Sequence, residues 1–425
     1  MSEKKVDYLN RVIRHVRSKE AKRFVAEELH HHLEEEMRSL KIAGMDGRDA
    51  EEKAIKQMGS AERLGMEMNR LHRPKVDWLM IGLVLLISLI GILPSLHVSE
   101  ELYNDTGYLF KKIIYLIFGA VISLGLMFFD YRKLRTLKWG IYGTTAMILI
   151  SLTVMPNFYI NGEAHFRLAS FTIDSTTAVT ALVLSWIIFL GSSKKALWWV
   201  LPFLAVSLSS LMMLPSIPAA FVFTLTVTVL LWIRFKDKRK YMVWGYAVIG
   251  VFIGTMISNA EPYQLERVNA FIHPEDYGSH LGYMYLRNHE LLARGGWFGE
   301  PGGREVISDP HTSFALTTVT YHYGWIASGV LILTGLFIMF RMLRHIQMIK
   351  DLLGQMIILG GVTLFSTQFL YNIGMTLGLL PHTGMSLPFV SYGLNPTIQT
   401  FMVVGLFLSV YRRKNLISYR ETEKG

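Results

Sequence analysis

T-G-M-S-L-P-F-V-S-Y-G, residues Thr383–Gly393, is the stretch that decides how this chain is read. It lies between two membrane-length apolar runs, and its proline and glycines make the backbone irregular. A loop this apolar does not dangle in water. Irregular backbone at membrane depth is tolerated only where protein surrounds it or where it lines a cavity. The stretch therefore predicts a loop folded back among helices, shaped by Gly384, Pro388 and Gly393, with the rest of the chain as its scaffold.

Working outward, apolar runs of membrane length recur at about 78–97, 113–130, 137–155, 176–192, 196–213, 218–235, 241–259, 312–341, 355–378 and 396–411. The whole chain of 425 residues is 51% hydrophobic, with a mean hydropathy of +0.32, as polytopic membrane proteins are. The loops set the orientation. Asp130–Arg135, Lys194-Lys195, Arg234–Lys240, Arg341–Lys350 and Tyr411–Lys414 follow the even-numbered runs and are basic. Loops after the odd-numbered runs carry few Lys or Arg, and one holds Glu100, Glu101 and Asp105. The positive-inside rule then places both termini in the cytosol. Lys111-Lys112, at the outer end of the second run, departs from that rule and is expected to snorkel to headgroups.

Before the first run, residues 1–75 are charged and lack a membrane-length segment or a secretory signal. Leu9, Val12, Ile13 and Val16 recur at helical spacing, as do Val25, Leu29 and Leu33. Asp46 is placed to cap a helix over Ala50, Ala54, Ile55 and Met58, and Gly59 to stop it. Leu64, Met68 and Leu71 mark a fourth helix. In His30–Glu36 each histidine has a glutamate four residues on, a solvated polar face in preference to a metal site. The fold expected is an all-α polytopic membrane protein: ten transmembrane helices over 76–425, N and C termini cytosolic, and a small cytosolic helical module over 1–75.

The net charge of +10 fits topology and contact with acidic membrane lipids. Basic residues scattered over short loops give no nucleic-acid surface. With no cysteine there is no thiolate metal site, and no dedicated metal cage or other cofactor motif is evident. The outer loop 260–310, between the seventh and eighth runs, is too long and too varied to be a mere connection. It holds aromatics, several histidines, and Arg267, Arg287, Arg294 and Arg304.

Three stretches now line up. Glu261-Pro262-Tyr263, Arg267–Phe271, Pro274, Gly282-Tyr283 and Gly295-Gly296-Trp297-Phe298-Gly299 resemble the large extracellular loop of the SEDS family, which includes RodA, FtsW and SpoVE. His311-Thr312-Ser313-Phe314 resembles that family's H-T-D-F. Gln368, Asn372-Ile373-Gly374 and Leu379-Leu380-Pro381, with the opening stretch, resemble its C-terminal signature. The resemblance covers about 78–415, and residues 1–75 instead resemble the helical prefix found ahead of some bacterial permeases. It implies a protein of the bacterial cytoplasmic membrane that handles lipid II on the outer face, beside a transpeptidase-type or division-protein partner. A divalent cation is compatible with it.

In that family the H-T-D-F aspartate is the essential acid, and here its position is Ser313. A serine hydroxyl is no general base at neutral pH without another base beside it. Further acidic motifs are also replaced, by Tyr321-His322-Tyr323-Gly324, Asp174-Ser175-Thr176-Thr177 and Leu214–Ala219, and Leu394 stands at the last signature's second glycine. Asp309, one helical turn before Ser313, reads either as a displaced base or as a helix cap and loop acid; His322 is a weaker partner base for Ser313. Arg267 suits phosphate oxygens or a loop salt bridge. Gln368 and Asn372, at i and i+4, line substrate or bond between helices. His311, Thr312, Pro388, Ser391 and Tyr392 complete the candidate substrate-binding set. The function expected is a divergent, glycosyltransferase-like cell-wall protein binding lipid II or a similar polyprenyl-linked glycan. A non-catalytic scaffold for division or wall-synthesis partners is the alternative, and a lipid-linked precursor transporter a third.

Overall fold

Each of the ten apolar runs folds as a helix in the computed structural model, which describes residues 3–96, 107–160, 163–168, 171–192, 196–214, 216–235, 239–259, 262–278, 281–303, 305 and 307–416. Glu100, Glu101, Asp105, Lys194, Lys195, Pro215, residues 236–238, Glu261 and Arg304, all used in the sequence reading, lie outside the described residues.

The chain divides into two compact units. The first comprises Met1–Asp77 with Met348–Leu352 and Val410–Gly425. Its helices are α1 (Glu3–Arg14), α2 (Lys19–Ile42), α3 (Gly47–Met58) and α4 (Ala61–Leu71). The periodic apolar residues form its core: Leu9, Val12, Val16, Val25, Leu29, Leu33 and Ala54 are buried, together with Leu416 from the far end of the chain. Asp46 accepts the Arg48 N–H as N-cap of α3, and Gly59 ends that helix at φ +79°. Leu71 departs from its stripe and is 58% exposed. His30 and His31 face Glu34 and Glu35 at 3.5 and 3.6 Å along α2, on the solvated face.

The second unit, Trp78–Gln347 with Leu353–Ser409, holds the apolar helices. These are α5 (Trp78–Ile90), α6 (Gly107–Phe128), α7 (Lys138–Thr153), α8 (Ser175–Ser192), α9 (Ala196–Met212), α10 (Ile217–Arg234), α11 (Arg239–Ser258), α14 (Ala315–Ile346), α15 (Leu352–Thr376) and α16 (Leu394–Arg413). Among the described residues seven helices are long and apolar enough to cross a membrane. Between α11 and α14 the long connecting loop forms α12 (Pro262–Ile272) and α13 (Leu281–Arg294).

The all-α expectation needs one correction. Phe158–Ile160, Glu163–Leu168 and Phe171–Ile173 form an antiparallel meander, β1-β2-β3, between α7 and α8. Phe158 pairs with His165, and Phe166 with Ile173. The strands are three to six residues long, too short for a periodicity to register beside the flanking apolar runs. The signal that was available is Asn161-Gly162, a dipeptide typical of tight hairpins.

The Gly295–Gly299 motif braces this long loop against α14. Gly324 breaks that helix at φ +81°, and the two irregular segments interlock through their backbones. The Glu300 N–H donates to the Tyr321 carbonyl at 2.8 Å, and the Trp325 N–H to the Gly296 carbonyl at 2.9 Å. A Cβ on Gly324 would stand 2.2 Å from the Trp297 carbonyl oxygen; one on Gly299 would stand 2.2 Å from that of His322. Gly324→Ala is therefore expected to cost about 3 kcal/mol, adding left-handed backbone strain to a clash with main chain. Gly125→Ala on α6, where nothing lies within 4 Å, serves as the control. Thermal unfolding of both in the same detergent checks this; equal melting points would refute the brace.

Candidate functional site

The Thr383–Gly393 loop turns back into the protein. Leu387, Phe389, Val390 and Ser391 are all buried. Leu387 to Ser391 form a tight turn closed by the Val390 and Ser391 N–H groups on the Leu387 carbonyl. Pro388 presets its first corner, and Phe389 takes the second at φ +68°, a conformation that costs a phenylalanine strain. The ring of Phe389 repays this by packing on Phe365 and Phe401.

Two sets of bonds hold the turn. Lys112, on α6, is fully buried, and its Nζ donates to the carbonyls of Phe389, Val390 and Ser391 at 3.1, 3.0 and 2.9 Å. Snorkelling to headgroups, expected from the sequence for Lys111-Lys112, does not occur at Lys112. Three converging carbonyls replace water around the ammonium, which is how a buried charge is accommodated. The second set engages His311-Thr312-Ser313. The Tyr392 N–H donates to the His311 carbonyl at 2.6 Å. Ser391 Oγ donates to the Thr312 carbonyl at 2.6 Å and accepts the Leu387 N–H. Asn372 Nδ2 donates to the Ser313 carbonyl at 2.9 Å and to Met385 at 2.7 Å. Ser313, Asn372, Ser391, His311, Thr312 and Tyr392 are thus brought together around one rim, with Pro388 shaping its turn.

Gln368 lies on the same helix as Asn372 but bonds differently: its Nε2 donates to Gln399 Oε1 on α16 at 3.3 Å, a link between helices. Ser313 is buried, and its Oγ lies 4.0 Å from where a Cβ on Gly384 would stand, so the side chain faces the space that this glycine leaves. Asp309 is exposed and left-handed at φ +53°, with its carbonyl accepting the Thr312 and Phe314 N–H groups. His322 sits at the α14 kink against the Tyr321 ring, in the brace.

An aromatic wall flanks the rim. His311, Tyr108 and Tyr392 lie with mutual ring-centroid distances of 5.3 Å, and Tyr115 adds to Tyr392 at 5.6 Å. On the other side His382 stacks on Phe314 at 4.7 Å, and its backbone N–H donates to Tyr285 Oη at 2.9 Å. Arg267, on α12, is close enough to Tyr285 and His382 to act on both electrostatically. By contrast Arg287 and Arg294 brace the loop itself, each forming ion pairs with Glu290 and Glu305. Sequence reasoning singled out Lys112 for a different role, as a headgroup contact, and passed over Tyr108, Tyr285 and His382, whose local spacing carries no mark.

Several buried polar atoms at this rim have no hydrogen-bond partner among the described residues: His311 Nδ1, His382 Nε2 and Asn372 Oδ1. Such atoms suit a polar ligand. Burial pushes the His311 imidazole below its ordinary value, against the opposing pull of Asp309. Burial, helped by Arg267, pushes His382 down to about 4. A histidine held neutral in the fold stabilises fully above its unfolded value near 6.5. That stability is lost as pH falls toward 4, on the order of 3 kcal/mol in all. Melting points at pH 7.5, 5.5 and 4.5 are expected to fall more steeply for the wild type than for His382→Gln; parallel slopes would refute this assignment.

Among the described residues no group of three or more His, Asp or Glu is placed to hold a metal ion.

The sequence model of the cell cycle proteins FtsW, RodA and SpoVE matches residues 74–416. The chain belongs to that family, the SEDS family. This SEDS chain is a multi-pass membrane protein. It is 23% identical over 358 residues to a probable peptidoglycan glycosyltransferase FtsW of Trichlorobacter lovleyi, covering 79% of this chain and 92% of the relative. It is 22% identical to the stage V sporulation protein E of Bacillus subtilis, covering 79% and 97%. Its fold matches a chain from a peptidoglycan synthase complex that coordinates polymerization and crosslinking, with a TM-score of 0.66, 24% identity, and coverage of 80% and 98%.

Proposed function

We propose that this SEDS protein serves bacterial cell-wall assembly by binding lipid II, or a similar polyprenyl-linked glycan, at the rim around Thr383–Gly393, with its own glycosyl transfer suppressed. Ten spans with both termini in the cytosol of the cytoplasmic membrane put that rim on the outer face, in keeping with the basic even-numbered loops. One observation carries the reading. Hydrogen bonds from Asn372, Ser391 and Tyr392 tie the rim together, yet the position that the family resemblance gives to an acid is a buried serine, and Asp309 is exposed on a turn. Arg267 offers positive charge for a pyrophosphate, and the unpartnered atoms of His311, His382 and Asn372 offer sites for sugar hydroxyls or amides.

A second reading, a scaffold that docks a transpeptidase-type partner without binding glycan, draws on the likeness to a chain of a peptidoglycan synthase complex. The test uses purified full-length protein in nanodiscs, assayed for lipid II binding and for glycan polymer. Bound lipid II with polymer at background is expected. Polymer formation by wild type that Asp309→Ala abolishes would make Asp309 the base and the protein an enzyme. No lipid II binding, with partner binding intact, would leave the scaffold.

A further inference from the structure

The first unit contains a cavity of about 520 Å³ lined by Arg17, Lys19, Arg73 and Arg412, with Ser18 and Asn69. Three separate stretches supply its four cations, and no carboxylate is among the described residues that line it. Several other basic residues of this module are paired with acids: Lys4 with Glu52, Lys5 with Glu34, Arg11 with Asp7, Arg23 with Glu27 and Arg63 with Glu67. Arg17, Lys19 and Arg73 form no ion pair with any described side chain.

The walls are fixed by the fold. Asn69 Oδ1 accepts the Arg17 N–H at 3.0 Å, which holds the turn before α2 against α4. The Lys75 N–H donates to the Arg412 carbonyl at 3.3 Å, and His72 Nδ1 lies 2.9 Å from the Asn415 carbonyl. Leu416 completes the attachment by entering the module core. Cations gathered in this way repel one another, and an anion seated among them relieves that repulsion. Guanidinium forks match phosphate oxygens in two-point contacts, and a lysine adds a point charge. The cavity is larger than one phosphate group and has room for a headgroup. Arg412 lies in the last turn of the membrane-length helix α16, where lipid headgroups are found.

We infer that this cavity is a binding site for a phosphate-bearing anion, supplied either by an acidic phospholipid headgroup or by a soluble phosphate compound. The site is independent of the glycan rim and does not rest on the function proposed for it. It gives the helical module a ligand to read on the cytosolic side.

Full-length protein in phosphatidylcholine nanodiscs, with and without phosphatidic acid, is the material for the test. Native mass spectrometry counts retained phosphatidic acid, and calorimetry measures inorganic phosphate and pyrophosphate binding in discs of phosphatidylcholine alone. Saturable binding of one anion per chain is expected. Retention of phosphatidic acid alone identifies a lipid source; binding of pyrophosphate or phosphate identifies a soluble one. Arg17→Gln with Arg73→Gln removes two charge-assisted contacts and should weaken binding at least about tenfold. Arg48→Gln with Lys53→Gln, exposed on α3 and equal in charge change, should leave it intact. Arg73→Gln alone serves if the pair disturbs folding, since that side chain bonds to no described residue. No binding above the phosphatidylcholine baseline, or equal weakening by both pairs, overturns the inference.

Discussion

Ser313→Asp is expected to raise glycan polymerisation from lipid II by about 10²–10⁴-fold over wild type, the usual contribution of one positioned general base. In activation free energy this is roughly 3–5 kcal/mol, a large effect for one side chain. The site has room for the change. Ser313 Oγ faces Gly384, whose left-handed backbone carries no side chain to obstruct a carboxylate. The Ser313 carbonyl stays tied to Asn372 and the neighbouring carbonyls to Tyr392 and Ser391, so the new acid is held in place by bonds that already exist. Ser313→Asn, nearly the same shape without basicity, separates chemistry from packing and should remain at background. Asp309→Ala added to Ser313→Asp should leave the gain untouched. If Ser313→Asp makes no more polymer than Ser313→Asn while both bind lipid II, the missing base is not what limits this protein.

The largest stability effect is expected at Lys112. Lys112→Met strips three buried carbonyls of their donor at once. It also removes the desolvation cost of the ammonium, which offsets part of the loss. The carbonyls win, because an unpaired buried polar group costs about 1–3 kcal/mol and one of the three belongs to strained Phe389. A net loss of about 3–5 kcal/mol follows, and a drop in melting temperature of roughly 5–15 °C. Lys112→Arg should fall between, since a planar fork does not reach three converging oxygens as an ammonium does. Limited proteolysis within 383–393 gives a second measure. Unchanged melting and unchanged protease resistance would show that the turn stands without its clamp.

Much of this fold is legible because apolar runs of membrane length are strong signals, and each one found in the sequence contains a helix. Asp46 and Gly59 were equally readable, since a cap and a stop are local chemistry. The site was legible only as a set of family-like motifs. That Ser391 bonds to Thr312, and Asn372 to both Ser313 and Met385, depends on residues far apart in the chain. Lys112 was read as a headgroup contact because its local context is a charged helix end. Its partners lie some 280 residues downstream, where no spacing rule reaches. The meander failed for the opposite reason: its strands were too short to stand out between two stronger apolar runs.

One feature of the helical module bears on how the protein is made. Residues 3–71 leave the ribosome before the ten apolar helices, yet Leu416 belongs to the core they form, and His72 meets the backbone of Asn415 across 343 residues. Closing a contact over such a span carries a large loop entropy and waits for everything between to be inserted. The module is therefore completed only after the tenth apolar helix has emerged, and until then it carries an open seam. A stop codon introduced just after Ser409 would expose that seam permanently, so nascent chains truncated at the far end should be cleared through damage to the near one.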